Sequence, residues 1–342
     1  MKKKKVIGII IIVAFMIITF HIFRKSEEIA DFPQLIKRLH WGYVYIAVGL
    51  MLFYIVINAT IIYTAGKKIS KEVTFKRSMY LSLVGQYYSL ITPFASGGQP
   101  AQIYAMKTKF NMPISVGTTI TVKKFIIFQV VVSLYAVVMF LTKIDFILNK
   151  YAGIIMFIII GLLVNLFGGI LIILLSYSKS LVIKLLDIII AIANKLHVSK
   201  FIHRDEIIEH IEDYVDKIDD IKNHKATMIS LVVLTFIQLT AYFSITYFVY
   251  LALGGKGASY MDILAIQTIV YVVVSFIPTP GGAGASEGSF YVLFKAFIAK
   301  DVLLYAMALW RLITYYGNMI LSGTILLTVK IIDYIKRRGA VS

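Results

Sequence analysis

Residues 278–289 read Pro278-Thr279-Pro280-Gly281-Gly282-Ala283-Gly284-Ala285-Ser286-Glu287-Gly288-Ser289, and residues 92–104 read Thr92-Pro93-Phe94-Ala95-Ser96-Gly97-Gly98-Gln99-Pro100-Ala101-Gln102-Ile103-Tyr104. Apolar sequence precedes each run, at 262–277 and at 79–92. A helix needs roughly 20 apolar residues to cross a ~30 Å hydrocarbon layer, and a 16-residue stretch rises only about 24 Å. Proline then removes a backbone donor and clashes with the preceding turn. Each stretch is therefore expected to dip into the layer and turn back. The backbone groups freed at such a turn cannot face lipid, so both turns must be buried in protein or line a wet cavity.

The rest of the 342-residue chain agrees with a membrane setting. Hydrophobic residues make up 59% and charged residues 15%, against about 45–50% and 25% in soluble domains. This excludes an ordinary soluble enzyme, a nucleic-acid-binding domain and a disordered chain. The net charge of +17 fits anionic lipid and basic cytoplasmic loops. With no cysteine, thiolate chemistry, disulfides and Cys-ligated zinc drop out. Six stretches are long enough to span: 6–23, 41–63, 125–141, 151–175, 227–253 and 302–329. The first follows Lys2–Lys5 and reads as an uncleaved anchor. Placing both termini in the cytoplasm puts 23 Lys and Arg inside and 9 outside, which selects that orientation at the cell membrane. The two short stretches then enter from opposite faces. The expected fold is an all-α polytopic membrane protein with six spanning helices and two opposed re-entrant helical hairpins, 79–106 and 262–299.

Shifting the chain by 187 positions aligns 41–63 with 228–250, hairpin 79–106 with 266–293, and 125–141 with 312–328. Thr92-Pro93 falls on Thr279-Pro280, Gly97 on Gly284, Tyr104 on Tyr291, and Lys124 on Arg311. The units start on opposite sides, so the repeat is inverted in topology, as in many secondary transporters. The chain divides into an anchor and outer loop (1–40), a first repeat (41–143), a spanning helix with a cytoplasmic linker (144–226), a second repeat (227–330) and a basic tail (331–342).

A Gly-rich bend followed by a helix aims unpaired N–H groups and a positive dipole end at a cavity, a seat suited to phosphate. That makes Gly97, Gly98, Gly281, Gly282 and Gly284 candidates for backbone contacts. Thr92, Ser96, Gln99, Gln102, Tyr104, Thr279 and Ser286 are candidates for neutral hydrogen bonds. The bland alternative is that Pro and Gly only kink helices and permit close packing. Of the 18 acids, Glu287 alone falls within a membrane segment, where a charge costs about 2.5–3.5 kcal/mol and needs a partner or a role. Arg311, in the next span, is the candidate partner. The pair reads either as a structural ion pair or as a guanidinium fork for a lipid phosphate oriented by Glu287. Lys123 and Lys124 hold the corresponding place in the first unit, or else mark the end of their span. Lys124 is preferred because it aligns with Arg311.

On these residues the chain resembles the lysylphosphatidylglycerol synthase transmembrane region family, which includes the flippase portion of the multiple peptide resistance factor. The family's Pro-x-Pro-Gly-Gly-x-Gly-x-x-Glu run is matched by Pro278, Pro280, Gly281, Gly282, Gly284 and Glu287, and its later Arg by Arg311. In the first signature Pro93, Gly98 and Tyr104 fit, while Gln99 replaces an acid and Gln102 an arginine. The resemblance implies a flippase that moves a phosphate-containing lipid between leaflets, with implications for antibiotic resistance. The lipid would be an aminoacyl-phospholipid such as lysylphosphatidylglycerol, or a polyprenyl-phosphate-linked sugar. The alternative is a transferase or a membrane-embedded subunit of lysylphosphatidylglycerol synthesis. The only long polar stretch, 176–226, is short for a soluble acyltransferase. No cofactor, catalytic residue or metal is expected. Expected partners are the bilayer, an anionic or aminoacylated lipid, a separate synthase or a second copy, and no nucleic acid. Residues 179–197 read as an interfacial helix and 200–225 as an amphipathic one. His203, Glu206, His210 and Asp213 there read as a solvated face rather than a metal site.

Overall fold

The computed structural model describes residues 36–195, 225–275, 277 and 279–339, and among them the regular structure is helical, with no strand. The helices are α1 (Trp41–Gly66), α2 (Phe75–Leu90), α3 (Gly98–Phe110), α4 (Ile114–Thr142), α5 (Ile144–Tyr151), α6 (Ile155–Tyr177) and α7 (Lys179–Lys195), then α8 (Lys225–Ala252), α9 (Tyr260–Val274), α10 (Ala285–Phe294), α11 (Lys300–Arg311) and α12 (Asn318–Gly339). Five stretches are long and apolar enough to cross a membrane: 41–66, 114–142, 144–171, 225–252 and 300–336. They carry large apolar side chains on their outer faces, among them Tyr45, Phe53, Phe157 and Phe167. Such a belt suits lipid, because soluble chains rarely expose contiguous apolar surface of this extent. The molecule is a multi-pass helical membrane protein.

The expected span 6–23, Pro278 and residues 200–224 of the amphipathic segment, with its two histidines, lie outside the described residues. The interfacial stretch forms α7. Two spans differ from expectation, one at its start and one in its interior. The stretch expected at 125–141 begins at Ile114, because Pro113 starts a helix whose first turns bury Ser115, Thr119 and Thr121 inside the bundle. Polar residues facing protein rather than lipid lower the hydropathy of a real span. The last span is broken at 312–317 by a π-helical segment, immediately after Arg311.

Two helical hairpins sit between the long helices. In the first, Thr74 caps α2 by accepting the Arg77 N–H, and Asn111, in the left-handed conformation, ends α3. Gly85 and Gly98 bring α2 and α3 close; a Cβ at either would strike Gln102 or Ser89. In the second, Ser259 and Asp262 form a capping box at the start of α9, and Asp262 also pairs with Lys143 at 2.8 Å. Their starts lie at opposite ends of the bundle. The His40 N–H donates to the Ala252 carbonyl, fixing the start of α1 against the end of α8, close to where α9 begins. Lys109, near the end of α3, pairs with Asp333 in the last helix at the other end. Helix α1 packs along α8, α2 against α12, and α9 against α4.

Candidate functional site

The turns of the two hairpins touch. Pro93 and Pro280 form an isolated antiparallel bridge, each at the apex of its turn. Around the apices the backbone repeats itself. Phe94 and Ala95 have φ of 55° and 52°, while Gly281 and Gly282 have φ of 58° and 67°. Glycine adopts this left-handed conformation freely, whereas a Cβ costs roughly 1–2 kcal/mol. The first turn thus holds a strained Phe94 that is 55% exposed. Such strain in non-glycine residues concentrates at functional sites.

The second turn is held by charge. Arg311 is 5% exposed. Its Nε donates to Glu287 Oε1 at 2.7 Å and its Nη2 to Oε2 at 3.1 Å, a side-on bidentate pair. Both Nη atoms also reach the Gly281 carbonyl at 3.4 Å. Glu287 Oε2 accepts the Gly284 N–H at 2.7 Å, so one carboxylate ties the bend to the guanidinium. The rings of Trp310 and Tyr315 flank the guanidinium, 5.3 and 4.9 Å away. The Arg311–Glu287 pair spans from α11 to the first turn of α10, and the π segment begins at the next residue. A local widening of this kind rotates the following side chains relative to an unbroken α-helix and is frequent at functional sites.

In the first hairpin Lys124 plays a related part through neutral groups. Its Nζ donates to Gln102 Oε1 at 3.1 Å, and Gln102, 1% exposed, donates to the Leu81 carbonyl at 2.9 Å. The lysine of α4 therefore ties to α3, and through Gln102 to α2. Lys123 is also buried, and among the described residues it has no hydrogen-bonding or ion-pair partner. Thr92 closes its own turn: its hydroxyl donates to the Tyr88 carbonyl and accepts the Gly97 N–H. Ser96 likewise donates to the Pro93 carbonyl. Gly98 and Ser286 are buried, Gln99 is half-buried, and Gly282 accommodates Val274 where a Cβ would collide. Thr279 keeps a buried hydroxyl without a hydrogen-bond partner among the described residues. Tyr104 stands apart, 69% exposed on the outside of α3.

Sequence reasoning passed over several residues that link the two hairpins. Tyr315, in the π segment, donates to the Leu90 carbonyl at the end of α2 at 3.2 Å. Asn318 Nδ2 donates to Gln86 Oε1 at 3.2 Å, while Asn318 Oδ1 is buried without a hydrogen-bond partner. The rings of Tyr54 and Tyr242 meet at a tilt, 5.2 Å apart, and Tyr242 meets Tyr271 at 5.9 Å. Gln86, Lys124, Tyr54, Tyr242 and Tyr271 remain half-buried although they belong to helices packed on one another. Polar side chains thus gather between the two hairpins without being sealed into the core. The available signal was Gln86 and Asn318, amides within apolar stretches, which in a membrane helix face protein or water.

Residues 5–322 of this chain match the family of the lysylphosphatidylglycerol synthase TM region. A protein described as a UPF0104 membrane protein, from Archaeoglobus fulgidus, is 25% identical over 326 residues, covering 92% of this chain and 93% of that protein.

Proposed function

The chain belongs to the lysylphosphatidylglycerol synthase transmembrane-region family, and on that premise we propose that it moves a phosphate-containing lipid between membrane leaflets. The observation that carries this reading is the contact of two turns, at Pro93 and Pro280, beside a set of half-buried polar side chains that includes Lys124 and Gln86. The lipid is an aminoacyl-phospholipid or a polyprenyl-phosphate-linked sugar. Its head group enters between the hairpins while its chains stay in hydrocarbon.

The two hairpins enter the bilayer from opposite faces as units of an inverted repeat. Helices starting at 41, 75, 98 and 114 are followed by helices starting at 225, 260, 285 and 300, in the same order and at similar spacing. The prolines that meet at the apices are the pair that the 187-residue shift aligns. Equivalent residues meet where a two-fold axis passes. Rocking one unit against the other separates the apices and breaks the Tyr315–Leu90 and Asn318–Gln86 bonds, opening the chamber to alternate sides. Lys124 is the cation available to a phosphate, because it is half-buried where Lys123 is buried, and its only hydrogen-bond partner among the described residues is a neutral amide. Arg311 already spends its guanidinium on Glu287 and Gly281, and it keeps the second turn in shape.

The test is a leaflet assay in proteoliposomes with a head-group-labelled lipid. Lys124→Met is expected to reduce lipid movement at least tenfold while the protein keeps its wild-type melting temperature. Unchanged movement in a folded Lys124→Met protein would sink the reading.

A further inference from the structure

At the end of the bundle where α5 stops and α11 starts lies a cavity of about 350 Å³, lined by Lys150, Tyr151, Tyr291, Lys295, Lys300 and Leu303 among others. None of the half-buried polar groups gathered between the hairpins, Lys124 and Gln86 among them, lines it. We propose that this cavity is a second site, one that binds a phosphate group bearing net negative charge. The proposal does not depend on lipid movement by the chamber.

Three lysines from three places in the chain converge here: the last turn of α5, the residue after α10, and the first residue of α11. Among the described residues no carboxylate lines the cavity, and none forms an ion pair with any of the three. Elsewhere at this end a lysine is neutralised when it approaches an acid, as Lys143 is by Asp262. Three ammonium groups around one void set up a positive potential that favours an anion between them.

The floor is rigid and apolar. Tyr151 is buried, with its hydroxyl donated to the Leu293 carbonyl, and Leu303 is buried in the main core. Tyr151 is thereby committed to structure, which leaves Tyr291, more exposed, as the free phenol at the rim. Flexible lysine stems above a fixed floor give a site that grips a charged head without demanding one geometry. The volume lies at the small end of ligand pockets, enough for a head group and not for acyl chains. Ligands of this chemistry are an anionic phospholipid head group and free phosphate.

The probe is fluorescent dihexanoyl-phosphatidylglycerol titrated onto the intact, detergent-solubilised protein, with inorganic phosphate as competitor. Wild type is expected to bind it, with affinity falling as salt rises. The exposed-residue variants Lys295→Glu and Lys150→Gln/Lys295→Gln/Lys300→Gln are expected to weaken binding at least tenfold with unchanged melting temperature. Lys124→Met, which disables the chamber, is expected to leave it intact, so failure of the transport reading and failure of this site are separable. Displacement by millimolar phosphate assigns the site to phosphate itself; displacement only by unlabelled phosphatidylglycerol assigns it to the lipid head group. Equal binding by the triple variant, or by an uncharged dihexanoylglycerol probe, would overturn the proposal.

Discussion

Glu287 and Arg311 show how one buried pair can set a backbone turn. The carboxylate receives the guanidinium on one side and the Gly284 N–H on the other, so removing its charge frees both. Breaking such a pair costs about 3–5 kcal/mol, because the remaining charge stays buried without compensation. Glu287→Gln is therefore expected to lower the melting temperature in detergent sharply, and Glu287→Asp to recover part of the loss. Across the bridge the same backbone shape is held by Phe94 and Ala95, whose Cβ atoms make it costly. Ala95→Gly should stabilise by up to about 1 kcal/mol, since relief of left-handed strain exceeds the added chain entropy of glycine. Gly281→Ala should destabilise clearly, because its Cβ would meet the Tyr315 ring at a positive φ. The reverse order of these two melting temperatures would refute the comparison.

Among the elements, α9 has the most explicit start signal. Ser259 and Asp262 satisfy each other's backbone N–H groups, and Lys143 reaches in from the end of α4. Burial pushes the Asp262 carboxyl upward, but hydrogen bonds from Lys143 and Ser259 and the lysine's charge outweigh it and leave the group below its ordinary value. A carboxyl lowered on folding contributes stability that is fully present above the unfolded value, about 3.9, and lost as pH falls through the folded one. Asp262→Asn should therefore melt below wild type at pH 7, with the difference shrinking as pH falls below about 4. A gap that persists unchanged at low pH would mean that the carboxylate's charge is irrelevant. The last long helix shows the limit of periodicity as a signal. Residues 302–329 read as one span, and nothing in their hydropathy marks the π segment at 312–317. Its position follows from Arg311, Tyr315 and Asn318 having to reach different partners in the two hairpins.

At the scale of the molecule, lipid movement by rocking requires the two apices to part. Neither proline has an N–H to give, so Pro93 and Pro280 form a non-hydrogen-bonded antiparallel pair, a kind of pairing whose Cα atoms typically lie about 4.5 Å apart. That spacing lies within the range a disulfide accepts. The natural chain has no cysteine, so Pro93→Cys with Pro280→Cys would introduce a single possible cross-link. Oxidation is expected to arrest lipid movement and a reductant to restore it. Undiminished movement in the cross-linked protein would show that the apices do not separate.

Much of the architecture was readable from the chain itself. Hydropathy over 20-residue windows reports where hydrocarbon can surround a helix, and it located the five long helices found here to within a few residues at most ends. Paired Pro-Gly runs after short apolar stretches marked both turns, because a broken helix in an apolar setting demands protein or water around it. Glu287 and Arg311 stood out as partners because an isolated charge is too costly there. The sequence could not decide what each side chain faces. Lys124 and Lys123 are adjacent and chemically alike, yet one finds Gln102 and the other no partner among the described residues. The repeat singles out Tyr104, yet it is Tyr315 that reaches across to the other hairpin. Facing is a property of helix rotation, and rotation is set by how ten or more helices pack together, through contacts between residues up to some two hundred positions apart. Hydrophobicity along the chain dictates depth in the membrane; tertiary packing dictates direction.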